Sequence, residues 1–116
     1  MKKDNTIFLV HILDSIEAVE SFMEGVDSKE ILSSSRKTKD AILHNFAIIG
    51  EAVNNLEGEY MNNNPHVEWD KIIAMRNIII HEYFGIDMNL VWDTIKEDLP
   101  VLKKQIKILV GAISSE

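Results

Sequence analysis

The chain has 116 residues, of which 46% are hydrophobic and 27% charged, and this composition is typical of one globular domain spanning residues 1–116. It contains no Cys, which excludes disulfides, thiolate zinc sites and Cys nucleophiles, while 5 Gly and 2 Pro disfavour an all-β fold. The net charge of −7 disfavours a broad electrostatic grip on nucleic acid, although a small local phosphate site stays compatible with it. No apolar run approaches the ~18 residues of a membrane span, so we expect a cytoplasmic protein without a secretory leader.

The first half of the chain predicts two long helices. Apolar residues spaced three or four apart predict a helix over about residues 5–24. After a short turn, a second apolar stripe from Thr38 to Leu56 predicts a long helix, which the Asn run before Pro65 ends.

The segment from Pro65 to Tyr83 carries two conflicting patterns. The β-branched triplet at residues 78–80 favours a strand. Helical spacing of apolar residues nevertheless extends over almost the whole segment, which is too long for an ordinary strand, and no partner strand is visible elsewhere. We therefore predict a third helix.

The last predicted helix begins at Asp87 and carries apolar residues as far as Val110. Pro100 lies inside this pattern and lacks the N–H of a helical hydrogen bond, so we expect a kink near Asp98–Leu99. With short connections, the predicted fold is all-α: an antiparallel, up-and-down four-helix bundle with a kinked last helix.

Several known chemical motifs are missing from this sequence. None of the four His follows a Glu by three residues, as the metal-binding pairs of di-iron bundles require, and His-Glu-x-x-His is absent as well. Gly-rich phosphate loops are also absent. We therefore predict that the protein uses no metal and no cofactor.

One cluster of residues could carry chemistry. Arg76, Asn77, His81 and Tyr83 place a permanent cation, an amide, an imidazole and a phenol within eight residues. Arg can contact phosphate oxygens and His can transfer protons near neutral pH, which suits phosphodiester cleavage. On an ideal helix, however, residues five apart such as Arg76 and His81 are rotated by about 140°, so either the helix ends near His81 or a second chain completes the site.

A purely structural interpretation of the same residues stays open on spacing alone. Arg76 could be a surface side chain, His81 could interact with the helix dipole, and Tyr83 could be an aromatic residue at the edge of the core. Two neighbours on the second helix bear on the choice. We expect Gly50 to allow close helix approach, and Glu51 could hold either Arg36 or Arg76 in place.

The wider sequence context resembles the HepT-like branch of the HEPN superfamily. The resemblance covers about residues 7–108, and its blocks occur in the family's order. These blocks are Arg36-x-Thr38-x-Asp40-Ala41, Ile48-Ile49-Gly50-Glu51-Ala52, Trp69-x-x-Ile72, Arg76-Asn77-x3-His81-x-Tyr83-Phe84-Gly85 and Val91-Trp92-x-x-Ile95-x-x-Asp98-Leu99-Pro100.

This resemblance implies a HEPN-like bundle that acts as a metal-independent endoribonuclease toxin. It implies Arg76 and His81 as the catalytic pair, Asn77 as a supporting residue and Tyr83 as the acceptor of AMP. The implied partners are an RNA substrate and a cognate nucleotidyltransferase antitoxin, with a homodimer whose composite site lies at the interface. The alternative hypothesis is a catalytically inactive partner subunit of the nucleotidyltransferase. A third hypothesis is a purely structural helical adaptor.

Overall fold

The computed structural model describes residues 4–114, and across that range the chain is helical and contains no strand. The predicted all-α fold is therefore confirmed. None of the helices in this range is long and apolar enough to cross a membrane. The elements in chain order are α1 (Asn5–Phe22), α2 (Lys29–Ser34), α3 (Arg36–Asn54), α4 (Gly58–Asn62), α5 (Trp69–Glu82), a 3-10 turn (Tyr83–Gly85), α6 (Met88–Asp93), a π-helical turn (Thr94–Asp98) and α7 (Leu99–Ser114).

Side-chain caps fix where four of these helices begin. The side-chain oxygens of Asp4, Ser28, Ser35 and Asp87 each accept a hydrogen bond from a backbone N–H in the first turn of α1, α2, α3 and α6, respectively. Such caps satisfy donors that have no partner within the helix and stabilise its start by about 1 kcal/mol each.

The predicted C-terminal boundary of the second long helix is wrong. The apolar stripe continues to Leu56, and the prediction ended the helix only at the Asn run, whereas α3 ends at Asn54. The Nδ2 of Asn55 donates to the carbonyl of Glu51 at 2.8 Å, so a side chain takes up an acceptor in the last turn. The chain then turns, and α4 forms as a separate short helix before Pro65.

The disruption predicted around Pro100 takes the form of a π-helical turn. Helices α6 and α7 follow one another through Thr94–Asp98 without leaving helical backbone angles at the junctions. Pro100 has no N–H to donate to the carbonyl four residues earlier, and a local π turn rearranges the hydrogen bonds just ahead of it.

Contacts between distant residues show that neighbouring long helices run antiparallel. At the start of α1, Asn5 donates to Glu57, just beyond the end of α3, at 3.1 Å. Near the start of α7, Lys103 lies 2.7 Å from Glu20 in the last turns of α1. Helix α5 also runs antiparallel to α3: Tyr83, which follows the C-terminal end of α5, interacts with Asp40 near the start of α3. The predicted up-and-down arrangement of four long helices is confirmed.

The apolar stripes of these helices form one core. Its buried members include Leu9, Ile12, Ile16, Val19, Leu32, Ile42, Leu43, Phe46, Ile49, Val53, Val91, Ile106 and Leu109.

Helix α5, which carries the candidate chemistry, is only partly buried against this core. Of its residues Trp69 and Ile79 are buried, and four further apolar side chains are half-buried and pack against the core. A hollow of about 280 Å³ lies between α5 and the last helices, lined by residues such as Met75, Ile78 and Leu90. One side of the motif helix is therefore incompletely covered within a single chain.

Candidate functional site

Arg76 lies where α5 crosses α3, and a glycine makes room for it. Gly50 is buried, and a methyl group placed on its backbone would lie 2.9 Å from the Cγ of Arg76 and closer still to its Cβ. Any larger residue would therefore push the two helices apart or displace the arginine stem. The expectation that Gly50 permits close helix approach is confirmed, and the group that approaches is Arg76.

Two acceptors hold the guanidinium of Arg76. Its Nη2 lies 3.0 Å from the Oε2 of Glu51, and its Nη1 donates to the Oδ1 of Asn77 at 3.2 Å. Glu51 in turn lies within 3.4 Å of the amide nitrogen of Asn55. A guanidinium has five N–H donors, so these contacts leave donors for a phosphate. Of the two arginines considered as partners of Glu51, the structure selects Arg76.

His81 lies in the last turn of α5 and is exposed. The helix ends at the next residue, Glu82, which is the first of the two alternatives that the spacing left open. Arg76 is turned toward α3, whereas a residue five positions later projects about 140° away on an ideal helix. The two side chains are thus presented on different sides of the same helix.

Tyr83 begins the 3-10 turn, and two residues from the start of α3, Arg36 and Asp40, lie near its side chain. A hydrogen bond to the carboxylate of Asp40, together with burial and the negative charge, raises the pKa of Tyr83, while the nearby Arg36 partly opposes this rise. Arg36 itself pairs with Asp40, with 3.5 Å between Nε and Oδ2. Tyr83 as a residue is about 36% exposed, so part of its surface faces solvent.

The polar ends of Arg76 and Tyr83 meet different parts of α3. Their partners Glu51 and Asp40 are eleven residues apart, which corresponds to about 16 Å along a helix. Arg76 and Tyr83 therefore contact α3 at separate places, and the four residues of the motif do not converge on a single point within one chain. Asp40 was part of the sequence pattern without an assigned role, and its i,i+4 spacing from Arg36 was the available signal.

The end of the motif also exposes apolar side chains. Phe84 is 96% exposed and packs edge-to-face on Tyr83, with 5.6 Å between ring centroids. Ile80, one turn earlier, is 51% exposed, whereas Ile79 is part of the core. Two other histidines, His11 and His44, are exposed as well.

No three His, Cys, Asp or Glu side chains among residues 4–114 are grouped so that they could hold a metal ion.

Comparisons with known proteins agree with this geometry. Residues 12–109 match the family described as Ribonuclease HepT-like. This match covers most of the chain and includes α3, α5 and every residue of the motif. The chain belongs to the HepT-like ribonuclease family.

Individual relatives come from Methanocaldococcus jannaschii and Thermococcus cleftensis. A protein of Methanocaldococcus jannaschii named "Gamma-glutamylcyclotransferase and putative RNase" is 39% identical over 91% of this chain, which spans only 47% of that relative's length. A second protein of the same organism, named "Putative RNase", is 36% identical over 93% of this chain and 98% of its own length. The "Probable ribonuclease HepT" of Thermococcus cleftensis is 35% identical over 89% of this chain and 93% of its own length. No solved structure gives a significant match.

Proposed function

We propose that this protein is a metal-independent endoribonuclease and the toxin of a toxin–antitoxin pair. The observation that carries the proposal is an arginine fixed at the α3–α5 crossing, followed on the same helix by an exposed histidine, in a HepT-like chain. These two groups suit a phosphodiester substrate, since Arg offers donors to phosphate oxygens and His transfers protons near neutral pH.

In the proposed reaction the ribose 2′-hydroxyl attacks the adjacent phosphorus, and the bond from phosphorus to the 5′-oxygen breaks. The 2′-hydroxyl proton is removed and a proton is delivered to the leaving 5′-oxygen, which yields a 2′,3′-cyclic phosphate and a free 5′-hydroxyl. His81 transfers protons in this step. Arg76 stabilises the charge that develops on the phosphorane-like transition state, and Asn77 supports it by accepting from the guanidinium.

The test is RNA cleavage by purified protein carrying His81→Ala. Loss of a general acid–base group should lower the cleavage rate about 10²–10⁴-fold and relieve growth inhibition in cells, with an unchanged helical CD spectrum because His81 is exposed. His66→Ala removes an exposed histidine from the turn before α5, at the opposite end of that helix from His81, and should retain full activity. Equal cleavage by the two variants would contradict the assignment of His81. We expect EDTA to have no effect.

The proposed site is completed by a second copy of the chain. Arg76 and His81 lie on different sides of α5, so a two-fold axis beside this helix would bring Arg76 of one protomer toward His81 of the other. The exposed Ile80 and Phe84 supply apolar area at the same end of the helix.

The proposed regulation is transfer of AMP to Tyr83 by a cognate nucleotidyltransferase antitoxin. The hydroxyl oxygen of Tyr83 would attack the α-phosphorus of ATP, pyrophosphate would leave, and the phenolic proton would be lost. The accessible position of Tyr83 in the 3-10 turn after α5 supports its role as the acceptor.

A second candidate function is a partner subunit that has no catalytic activity and only presents Tyr83 to the nucleotidyltransferase. The acidic net charge of −7, which is unfavourable for RNA, favours it. If wild-type protein leaves RNA intact over a wide range of concentrations while Tyr83 is still modified, this second function replaces the first.

A further inference from the structure

We infer that Glu51 is a positioning residue that holds the Arg76 guanidinium ready for the substrate phosphate. The inference rests on the proposed ribonuclease activity for its kinetic consequences, but its structural part can be tested separately. It starts from the 3.0 Å ion pair between the two residues, which joins α3 to α5.

The surroundings of this pair restrict the arginine from both ends. Its stem packs on the bare backbone of Gly50, the residue immediately before Glu51. Its guanidinium contacts Glu51 through Nη2 and Asn77 through Nη1. An arginine on a helix surface samples many rotamers, whereas here the stem and two of the three nitrogens have fixed neighbours.

Glu51 is itself held. The side-chain amide of Asn55, one turn later on α3, lies 3.4 Å from its Oε1 and donates to its backbone carbonyl at 2.8 Å. The carboxylate therefore presents Oε2 to Arg76 from a supported position. A supported partner is what a catalytic cation needs, because stabilisation of a transition state depends on donors that are oriented beforehand.

The ion pair could also have the opposite effect, and charge decides between the two. Glu51 is about half-exposed in its side chain, and its negative charge repels a phosphate that approaches Arg76. If this masking dominated, removing the carboxylate would strengthen RNA binding and raise kcat/KM. If positioning dominates, as we infer, removing it lowers kcat while KM stays the same or falls.

The kinetic test compares Glu51→Ala and Glu51→Gln with wild type on one defined RNA. We expect kcat to fall about 10- to 100-fold in Glu51→Ala, because a misplacement of about 1 Å has effects of this size. Glu51→Gln keeps an acceptor oxygen and should lose less activity. Glu24→Gln removes the same charge from an exposed position in the turn after α1 and should leave both constants unchanged. A rise in kcat/KM on removal of the Glu51 carboxylate would overturn the inference.

A double-mutant cycle then shows whether Glu51 acts through Arg76. In a background carrying Arg76→Lys, which keeps the charge but has no planar fork for two partners, Glu51→Ala should change the remaining kcat less than about twofold. An undiminished effect of Glu51→Ala in that background would mean that Glu51 acts on the reaction by another route, and the inference would be wrong.

The structural part of the inference, that Glu51 restricts the motion of Arg76, is tested by measuring the ¹⁵Nε relaxation of the arginines by NMR. The chain contains only two arginines, so their signals can be assigned by substituting Arg36. We expect Arg76 to be ordered in wild type and mobile in Glu51→Ala, with Arg36 unchanged. If wild type shows no ribonuclease activity, the proposed function fails, but this measurement still decides the positioning. Equal Arg76 mobility in both proteins would refute it.

Discussion

Tyr83 shows how a single residue can be accessible and yet held. Its pKa is raised chiefly because Asp40 accepts from its hydroxyl. In the proposed transfer of AMP, the same carboxylate would take the phenolic proton as the oxygen attacks the phosphorus atom. A hydroxyl that already points to an acceptor, in a short turn after a helix, is suited to group transfer by a second protein.

We therefore expect co-expression with an active nucleotidyltransferase to add one or more AMP units at Tyr83 and to suppress RNA cleavage. Tyr83→Phe should stay unmodified and should escape this neutralisation. The matched control is Tyr60→Phe, because Tyr60 is the other tyrosine of the chain and should not be an acceptor. Intact mass and peptide mapping measure the outcome, and a wild-type chain that stays unmodified with active enzyme and ATP would contradict the mechanism.

The distance from Tyr83 to Arg76 bears on how the proposed modification would inhibit. The two residues are seven positions apart, which corresponds to about 10 Å along a helix. This separation is close to the screening length of about 8 Å at physiological salt, so an AMP phosphate on Tyr83 would repel RNA at Arg76 with only partial screening. We expect this repulsion and the bulk of the AMP group to act together against binding of the RNA phosphate.

At the scale of helices, the crossing of α3 and α5 depends on Gly50. A methyl group there would meet the Cβ and Cγ of Arg76, which are close to the backbone of α5 and cannot swing away. Ala gains about 1 kcal/mol over Gly in helix propensity, whereas overpacking costs about 1–3 kcal/mol. Because the contact involves the stem of the arginine rather than its flexible end, we expect the overpacking to dominate.

Gly50→Ala should thus lower the melting temperature. It should also reduce RNA cleavage at temperatures where the variant is still folded, so the loss of activity is larger than unfolding explains. Gly111→Ala is the matched control, since Gly111 is a helical glycine in α7 whose added methyl group meets nothing within 4 Å. That control should be neutral or stabilising by up to about 1 kcal/mol, with full activity. Thermal unfolding and a cleavage assay on the same preparations measure both effects, and a Gly50→Ala protein as stable and active as wild type would refute the role of this crossing.

Sequence periodicity located the long helices because each carries a continuous apolar stripe. The stripe in α5 identified a helix despite three consecutive β-branched residues, since strand propensity is weak compared with nearly twenty residues of helical spacing. Periodicity failed where hydrogen bonds rather than apolar contacts set the boundary. The early end of α3 depends on the side chain of Asn55, and the π turn before Pro100 depends on a missing N–H.

The candidate site was predictable only in part, for a similar reason. The spacing of Arg76, His81 and Tyr83 indicated that one helix cannot aim all three at one point, and the structure agrees. Which of two arginines Glu51 would meet depends on the packing of α3 against α5, and sequence spacing does not contain that information. The contact of Tyr83 with Asp40 likewise depends on tertiary structure.

For the whole molecule, the uneven burial of α5 leaves an apolar surface exposed at the end of that helix. Helix α5 buries only two of its residues, while Ile80 and Phe84 at its end are largely exposed. Each chain carries a net charge of −7, so two chains repel one another unless apolar burial outweighs that repulsion. At roughly 25 cal/mol per Å², a contact of a few hundred Å² around these side chains supplies several kcal/mol, partly offset by the cost of association.

We expect wild-type protein to be a dimer at micromolar concentration by light scattering, and Ile80→Asp combined with Phe84→Asp to be a folded monomer that no longer cleaves RNA. Because both side chains are already exposed, their replacement should leave the melting of the single chain nearly unchanged. Ile108→Asp is the control, since it adds the same charge at a 69% exposed isoleucine of α7, and it should remain dimeric and active.

A composite site can also be tested by mixing two inactive variants, one carrying Arg76→Ala and the other His81→Ala. Part of the activity should return, because one of the two sites in a mixed dimer is intact. A wild-type monomer, or mixed chains that stay inactive although they exchange into mixed dimers, would contradict a site shared between two copies.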